Sequence, residues 1–94
     1  MIDSIKSKAL RRFWLRNDPS AVAADWRDKL HIILTALDAA KHPEDLRTQG
    51  RRFHALTGPL RGRYAVWITG NWRVTFGWRN GNATDVELED YHGR

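Results

Sequence analysis

The sequence contains no cysteine, and this absence excludes several kinds of site. Without thiols there can be no disulfide framework, no thiolate ligand for zinc and no cysteine nucleophile. Long hydrophobic runs are also missing, because no stretch approaches the roughly 18 uninterrupted apolar residues of a membrane helix. Residues 1–6 lack the apolar segment of a signal peptide. We therefore expect a soluble, cytoplasmic protein with no membrane partner.

Nucleotide-binding and metal-binding motifs are absent as well. The sequence has no P-loop, no GxGxxG and no HExxH. Its four histidines stand at positions 31, 42, 54 and 92, and no two are spaced as a metal-binding pair on one helix. We therefore expect neither a metal ion nor a cofactor.

The residues that are abundant indicate a folded, basic protein. Hydrophobic residues make up 41% of the chain and include five tryptophans, which argues against disorder. Sixteen Lys and Arg oppose eleven Asp and Glu, for a net charge of +5. Five arginines and no acid fall within residues 46–63. This charge predicts a polyanionic partner such as nucleic acid.

The 94 residues show no internal repeat and no Pro-, Gly- or Ser-rich linker, so residues 1–94 are expected to form a single domain. In the first half, Leu10, Phe13 and Trp14 recur at helical spacing and predict a basic amphipathic helix over residues 7–16. A second helix is predicted to start at Asp18-Pro19, with Asp18 as its cap, and to end near residues 41–42.

The second half has the alternation of β-strands. Residues 52–57, 63–69, 72–79 and 83–89 are rich in β-branched and aromatic side chains and are separated by turn signals. Short connections favour antiparallel pairing. The expected fold class is thus α+β, with two N-terminal helices packed on a small antiparallel sheet.

The alternation also predicts a register for the last two strands. A three-residue loop of Asn80, Gly81 and Asn82 would pair Val74 with Leu88 and keep buried and exposed faces separate. In that register Arg73 lies on the exposed face of the sheet. His54 also points outward if its neighbours Phe53 and Ala55 face the core. Two positions are compatible with Trp67: a core position, which we prefer, and a position beside Arg73, where it would form a stacking surface.

Three stretches of the second half resemble the HigB toxins of the RelE superfamily. Residues 52–58, RFHALTG, resemble the H-x-L-x-G segment of that family. Residues 71–76, NWRVTF, resemble its N-x-R-[IVL]-x-F segment, and residues 86–92, VELEDYH, resemble its closing acidic D-Y-H tail. Order, spacing and position near the C-terminus agree for all three.

This resemblance implies a RelE-like fold and a ribosome-dependent, metal-independent endoribonuclease that cuts messenger RNA by attack of a ribose 2′-OH. It implies five catalytic positions, namely His54, Arg73, Asp90, Tyr91 and His92. Arginines that could hold the RNA or the ribosome are Arg51, Arg52, Arg61, Arg63 and Arg79. The chain departs from the family at Thr57, where a basic residue is common, and Arg61 is expected to compensate. The implied partners are a HigA-like antitoxin, the ribosome, mRNA, and operator DNA only through the toxin–antitoxin complex.

Two other functions are compatible with parts of the sequence. A non-catalytic, basic RNA- or DNA-binding module would use the arginines for phosphate contacts and the aromatic rings for stacking. A gyrase-poisoning toxin of the same fold would lack both the paired histidines and the D-Y-H tail, which this chain has. The terminal segment of residues 90–92 favours the nuclease over both.

Overall fold

The computed structural model describes residues 1–49 and 52–90 and has the predicted α+β architecture. The two helices are α1 (Lys8–Leu15) and α2 (Arg27–Ala39). The four strands are β1 (His54–Ala55), β2 (Arg63–Thr69), β3 (Trp72–Arg79) and β4 (Asn82–Asp90). They form one antiparallel sheet in the order β1-β2-β3-β4. Three short 3-10 helices cover Ala24–Trp26, Pro43–Gln49 and Gly58–Leu60. Within the described ranges, no helix is both long enough and apolar enough to cross a lipid bilayer.

Both helices pack against one side of the sheet, and the core lies between these two layers. On β3, Val74 and Phe76 are fully buried in this core. Leu10 of α1 and four α2 residues, Leu30, Ile33, Leu34 and Leu37, meet them and have no exposed surface. Burial of these side chains is the main stabilising contribution. It also leaves the second side of the sheet, the open face, without a covering helix from α1 or α2.

The start of α2 differs from the prediction. Asp18 does not cap this helix, because its Oδ1 accepts a hydrogen bond from the Ser20 amide at 3.0 Å. Val22 N then donates to Pro19 O at 2.9 Å, so the chain turns instead of entering a helix. A 3-10 helix follows, and α2 begins only at Arg27. Val22, which lies in the stretch predicted as helix, is nevertheless buried.

The β3–β4 pairing confirms the predicted partners but not the predicted loop. Val74 faces Leu88 and Arg73 faces Glu89. The loop, however, has two residues, Asn80 and Gly81, both with positive φ, as expected for a tight hairpin turn. The extra residue is absorbed by a β-bulge opposite Phe76, between the Gly77 and Thr75 pairs.

The N-terminal segment holds this bulge in place. Ile2 and Ile5 form isolated parallel bridges with Ala83 and Val86 of β4. Between them, Ser4 Oγ accepts a hydrogen bond from the amide of Asp85 at 2.8 Å. Asp85 adopts a φ of 47°, a left-handed conformation that is uncommon outside glycine. The bulge is therefore supported by a segment about eighty residues away in sequence.

The first strand is shorter than predicted. Only His54 and Ala55 pair with β2, instead of residues 52–57. Arg52 has a φ of 50°, which breaks the extended conformation before the strand. After it, Gly58–Leu60 forms a 3-10 helix that leads into β2. The strands β2 and β3 have the predicted bounds.

Candidate active site

The candidate site is the open face of the sheet. Cross-strand partners of an antiparallel sheet project to the same side, so the register defines which residues share this face. Two rows cross it: His54, Ala65, Thr75 and Glu87 form one, and Trp67, Arg73 and Glu89 form the next. The face therefore combines an imidazole, a guanidinium, two carboxylates and an indole.

His54 is presented on this face by its neighbour Phe53. The Phe53 ring is 8% exposed and stacks on Tyr64 with ring centroids 5.7 Å apart. Because successive strand residues point to opposite sides, the His54 side chain is directed to the open face, where it is exposed. This placement confirms the predicted orientation of His54, although Ala55 is exposed as well and does not enter the core.

Arg73 lies on the open face but is almost entirely buried, with 5% of its surface exposed. Its direct neighbours across the sheet are Trp67 on one side and Glu89 on the other. A buried guanidinium requires opposite charge nearby, and the Glu89 carboxylate is in the position to supply it. Arg73 and His54 lie on strands two places apart, about 10 Å across the sheet. The small side chain of Ala65 lies between those strands.

Thr75 links the acidic and basic strands of the open face. Its hydroxyl donates a hydrogen bond to Glu89 Oε2 and accepts one from Arg63 Nη2 at 3.2 Å. The same Arg63 Nη2 donates to the carbonyl oxygen of Asp85 at 2.9 Å. Thr75 is 1% exposed, so the network is anchored inside the sheet. Arg63, predicted to bind RNA, is thus already engaged in holding β2, β3 and β4 together.

Thr75 and Glu89 were not among the site residues predicted from the sequence. The alternation of apolar and polar residues along the strands indicated both residues, because the predicted register placed Glu89 opposite Arg73 and Thr75 on the same side of the sheet. What the sequence could not supply is the hydrogen bond between them, which depends on side-chain conformation across two strands.

Trp67 lies on the open face beside Arg73, so the preferred core position was wrong. The indole is half-buried, and the guanidinium carbon of Arg52 sits 4.6 Å from its ring centroid. This distance is within the range of a cation–π contact. The exposed Arg52 is thereby joined to the open face, although it precedes β1.

The remaining predicted residues are distributed around this face. Arg79 is exposed at the end of β3, and Arg61 is exposed in the turn before β2. Asp90 is the cross-strand partner of Trp72, which stacks on Trp26 of the helical layer. The register therefore puts Asp90 at the edge of the sheet, on the side opposite Arg73. The predicted residues Arg51, Tyr91 and His92 lie outside the described residues.

The described carboxylates and imidazoles do not form a group of three or more that could hold a metal ion. Two of the described carboxyl groups have a lowered pKa, and both lie in the helical half. Hydrogen bonds from Ser20 lower the pKa of Asp18, and backbone hydrogen bonds from Lys41 and His42 lower the pKa of Asp45.

Comparison with known proteins agrees with this architecture. Residues 3–92 match the family model described as the RelE-like toxin of the type II toxin–antitoxin system HigB. The chain is 35% identical over 92 residues to the endoribonuclease HigB of Proteus vulgaris, covering 98% of this chain and all of that protein. The match covers the helical layer and all four strands. The chain therefore belongs to the HigB-like family of RelE-like toxins of type II toxin–antitoxin systems.

Proposed function

We propose that this endoribonuclease toxin cuts messenger RNA in the decoding site of the ribosome, without a metal ion. The observation that carries the proposal is the open face, where exposed His54 and buried Arg73 occupy adjacent rows of a surface left clear by α1 and α2. Such a face can receive an extended single strand along the sheet. The similarity to the endoribonuclease HigB of Proteus vulgaris supports RNA cleavage as the reaction.

The proposed reaction is a transesterification within the RNA strand. The ribose 2′-oxygen attacks the adjacent phosphorus while a base removes the 2′-proton. The bond between phosphorus and the 5′-oxygen breaks, and an acid protonates this leaving oxygen. The products are a 2′,3′-cyclic phosphate and a 5′-hydroxyl end. Imidazoles suit both proton transfers, because histidine ordinarily titrates near neutral pH.

The proton-transfer residues of this mechanism are His54 and His92, with either one as the base. Asp90, at the end of β4 and two positions before His92, orients that imidazole or itself accepts a proton. Arg73 stabilises the phosphorane as negative charge builds on its oxygens, and its burial strengthens this interaction by excluding water. Tyr91 positions or stacks on a base.

The surrounding arginines bind the RNA backbone and the ribosome. Arg52, Arg61 and Arg79 are exposed and therefore accessible to phosphates, as proposed also for Arg51. Arg63 contributes through its remaining guanidinium donors, because a guanidinium has five N–H groups. These arginines therefore bind the RNA backbone and take no part in the proton transfers.

The proposed partners follow from the family. A type II module pairs the toxin with an antitoxin. The proposed antitoxin is a HigA-like protein that neutralises the toxin by covering basic surface. Operator DNA is contacted only through the toxin–antitoxin complex. The toxin acts in the cytoplasm as one domain that comprises residues 1–94.

The test uses purified protein and one mRNA presented either naked or on programmed ribosomes, in a buffer that contains the Mg²⁺ needed to hold the ribosomal subunits together. Primer extension then maps the new 5′ ends. We expect cuts within the decoding-site codon only when ribosomes are present. His54→Ala and His92→Ala should each reduce the cleavage rate by roughly 10²–10⁴-fold, the usual contribution of general acid–base catalysis.

His42→Ala is the matched control, because His42 is exposed and lies in the turn after α2, away from the open face. It should cleave like the unmodified protein. Retardation of the RNA without any cleavage would contradict the proposal and leave a nucleic-acid-binding module. Loss of cleavage after the toxin alone has been treated with EDTA and separated from it before the assay would contradict the metal-free part of the proposal.

A further inference from the structure

We infer that Trp67 is the platform on which a base of the bound RNA stacks, and that Arg52 occupies this place when RNA is absent. The inference rests on the proposed function, since it specifies how the open face holds the strand that is cut. None of the proposed catalytic steps involves Trp67.

The position of Trp67 differs from that of the other aromatic residues in the sheet. On β2 and β3, Tyr64, Phe76 and Trp78 pack into or against the core, and Trp72 stacks on Trp26. Trp67 instead lies on the open face and is half-buried. A large aromatic ring on a polar face gains little from the core, whereas stacked bases are its usual partners in proteins that bind single-stranded RNA.

The distance to Arg73 suits a single nucleotide. Trp67 and Arg73 are direct cross-strand partners, so their Cβ atoms lie about 5 Å apart. A phosphate held by Arg73 would therefore have its own or an adjacent base within reach of the indole. A base stacked on Trp67 and a phosphate bound by Arg73 would together fix where the RNA strand lies relative to His54.

Arg52 shows that the ring accepts a planar, cationic group on its face. Its guanidinium carbon is 4.6 Å from the ring centroid, and the rest of Arg52 is exposed. A guanidinium stacks on an aromatic ring much as a base does. An exposed side chain can leave the ring when a base arrives, and Arg52 is then free to contact a neighbouring phosphate.

The experiment measures binding of a short single-stranded RNA whose 2′-hydroxyls are methylated, so that it cannot be cut. A matched series lacks one base at each position in turn. In the unmodified protein, one abasic position should weaken binding about 5- to 150-fold, the equivalent of roughly 1–3 kcal/mol for one stacked base. We call this loss of binding the abasic penalty. Trp67→Leu should bind the intact RNA more weakly by a similar factor, and removal of the base should then cause almost no further loss.

Three variants separate stacking from a structural effect. Trp67→Phe keeps an aromatic ring and should retain most of the abasic penalty. Trp78→Leu removes a half-buried tryptophan from the other side of the sheet and should keep the full penalty. Arg52→Ala should also keep it, because the base stacks on the indole and not on the guanidinium.

An equal abasic penalty in Trp67→Leu and the unmodified protein would overturn the inference, and so would absence of any abasic penalty or of measurable binding. Loss of the penalty in Arg52→Ala would also overturn it, because the base would then rest on Arg52. These results are independent of cleavage. If the protein cuts no RNA but its abasic penalty depends on Trp67, the proposed nuclease is disproved and the stacking site is retained.

Discussion

At the scale of single residues, the open face is organised by polar groups that are buried within a strand. Arg73 and Thr75 are 5% and 1% exposed, although both lie on the side away from the helices. Polar groups with so little access to water require partners within the protein. Thr75 has two, Glu89 and Arg63, one on each neighbouring strand. The site is therefore held rigid by the same hydrogen bonds that join the strands.

Thr75→Val tests this network, because valine has nearly the same shape and lacks the hydroxyl. We expect the free energy of unfolding to fall by about 1–3 kcal/mol, since hydrogen bonds to charged groups contribute in this range. Urea denaturation followed by circular dichroism measures the change. Thr57→Val is the control, because Thr57 is exposed and its side chain caps no helix. Equal stability of the two variants would show that the buried network contributes little.

At the scale of the elements, β4 is the strand that joins the N-terminal segment to the sheet. It pairs with β3, receives the N-terminal bridges of Ile2 and Ile5, and contains the bulge at Asp85. Without the bulge, the two-residue turn would place Leu88 and Glu89 on the wrong sides of the sheet. The bulge thus restores the alternation and sets Glu89 beside Arg73.

Ser4→Ala should destabilise the bulge, because Ser4 Oγ accepts the hydrogen bond from Asp85 N. Loss of this bond should lower the free energy of unfolding by about 1 kcal/mol. Amide hydrogen exchange is expected to speed up first at Asp85 and its neighbours. Asp85→Gly in the same background should recover part of the loss, because glycine adopts a positive φ without strain. Unchanged exchange at Asp85 in Ser4→Ala would show that the bulge does not depend on the N-terminal segment.

Asp45 makes the turn after α2 sensitive to acid. Hydrogen bonds from the amides of Lys41 and His42 hold the pKa of Asp45 below its ordinary value of 3.8. A carboxyl group with a lowered pKa stabilises the fold above its unfolded-state pKa, and this contribution disappears as pH falls through the folded-state value. The melting temperature of Asp45→Asn should therefore lie below that of the unmodified protein at neutral pH. The difference should narrow as pH drops through 3.8 and below. A difference that stays constant over this range would contradict the assignment.

At the scale of the whole molecule, positive charge is present on both layers. In the helical layer, α1 and its C-cap carry four neighbouring basic side chains, Lys8, Arg11, Arg12 and Arg16. The open face carries Arg52, Arg73 and Arg79 on the other layer. The net charge of +5 therefore favours a polyanionic partner.

A single domain should unfold in one cooperative step. The radius of gyration is 12.2 Å, close to the value of about 12 Å expected for a compact domain of this length. Thermal unfolding followed by far-UV and by near-UV circular dichroism should give coincident transitions. Two separated transitions would indicate that the helical layer and the sheet unfold independently.

The sequence by itself determined the fold class, the bounds of β2 and β3, and the β3–β4 pairing. Each rests on alternation of apolar and polar residues, a local pattern that burial enforces along the strand. The outward orientation of His54 and the position of Arg73 opposite Glu89 follow from the same pattern. Family membership was also visible in the sequence, through the three stretches that resemble HigB toxins.

Only the tertiary structure decided features that depend on segments distant in sequence. The loop between β3 and β4 was predicted one residue too long, because the compensating bulge is held by Ser4 at the other end of the chain. Trp67 reached the open face through its pairing with Arg73, which no local pattern specified. Asp90 lies opposite Trp72 for the same reason. Such positions are set by partner strands and packing, and a sequence pattern describes only one strand at a time.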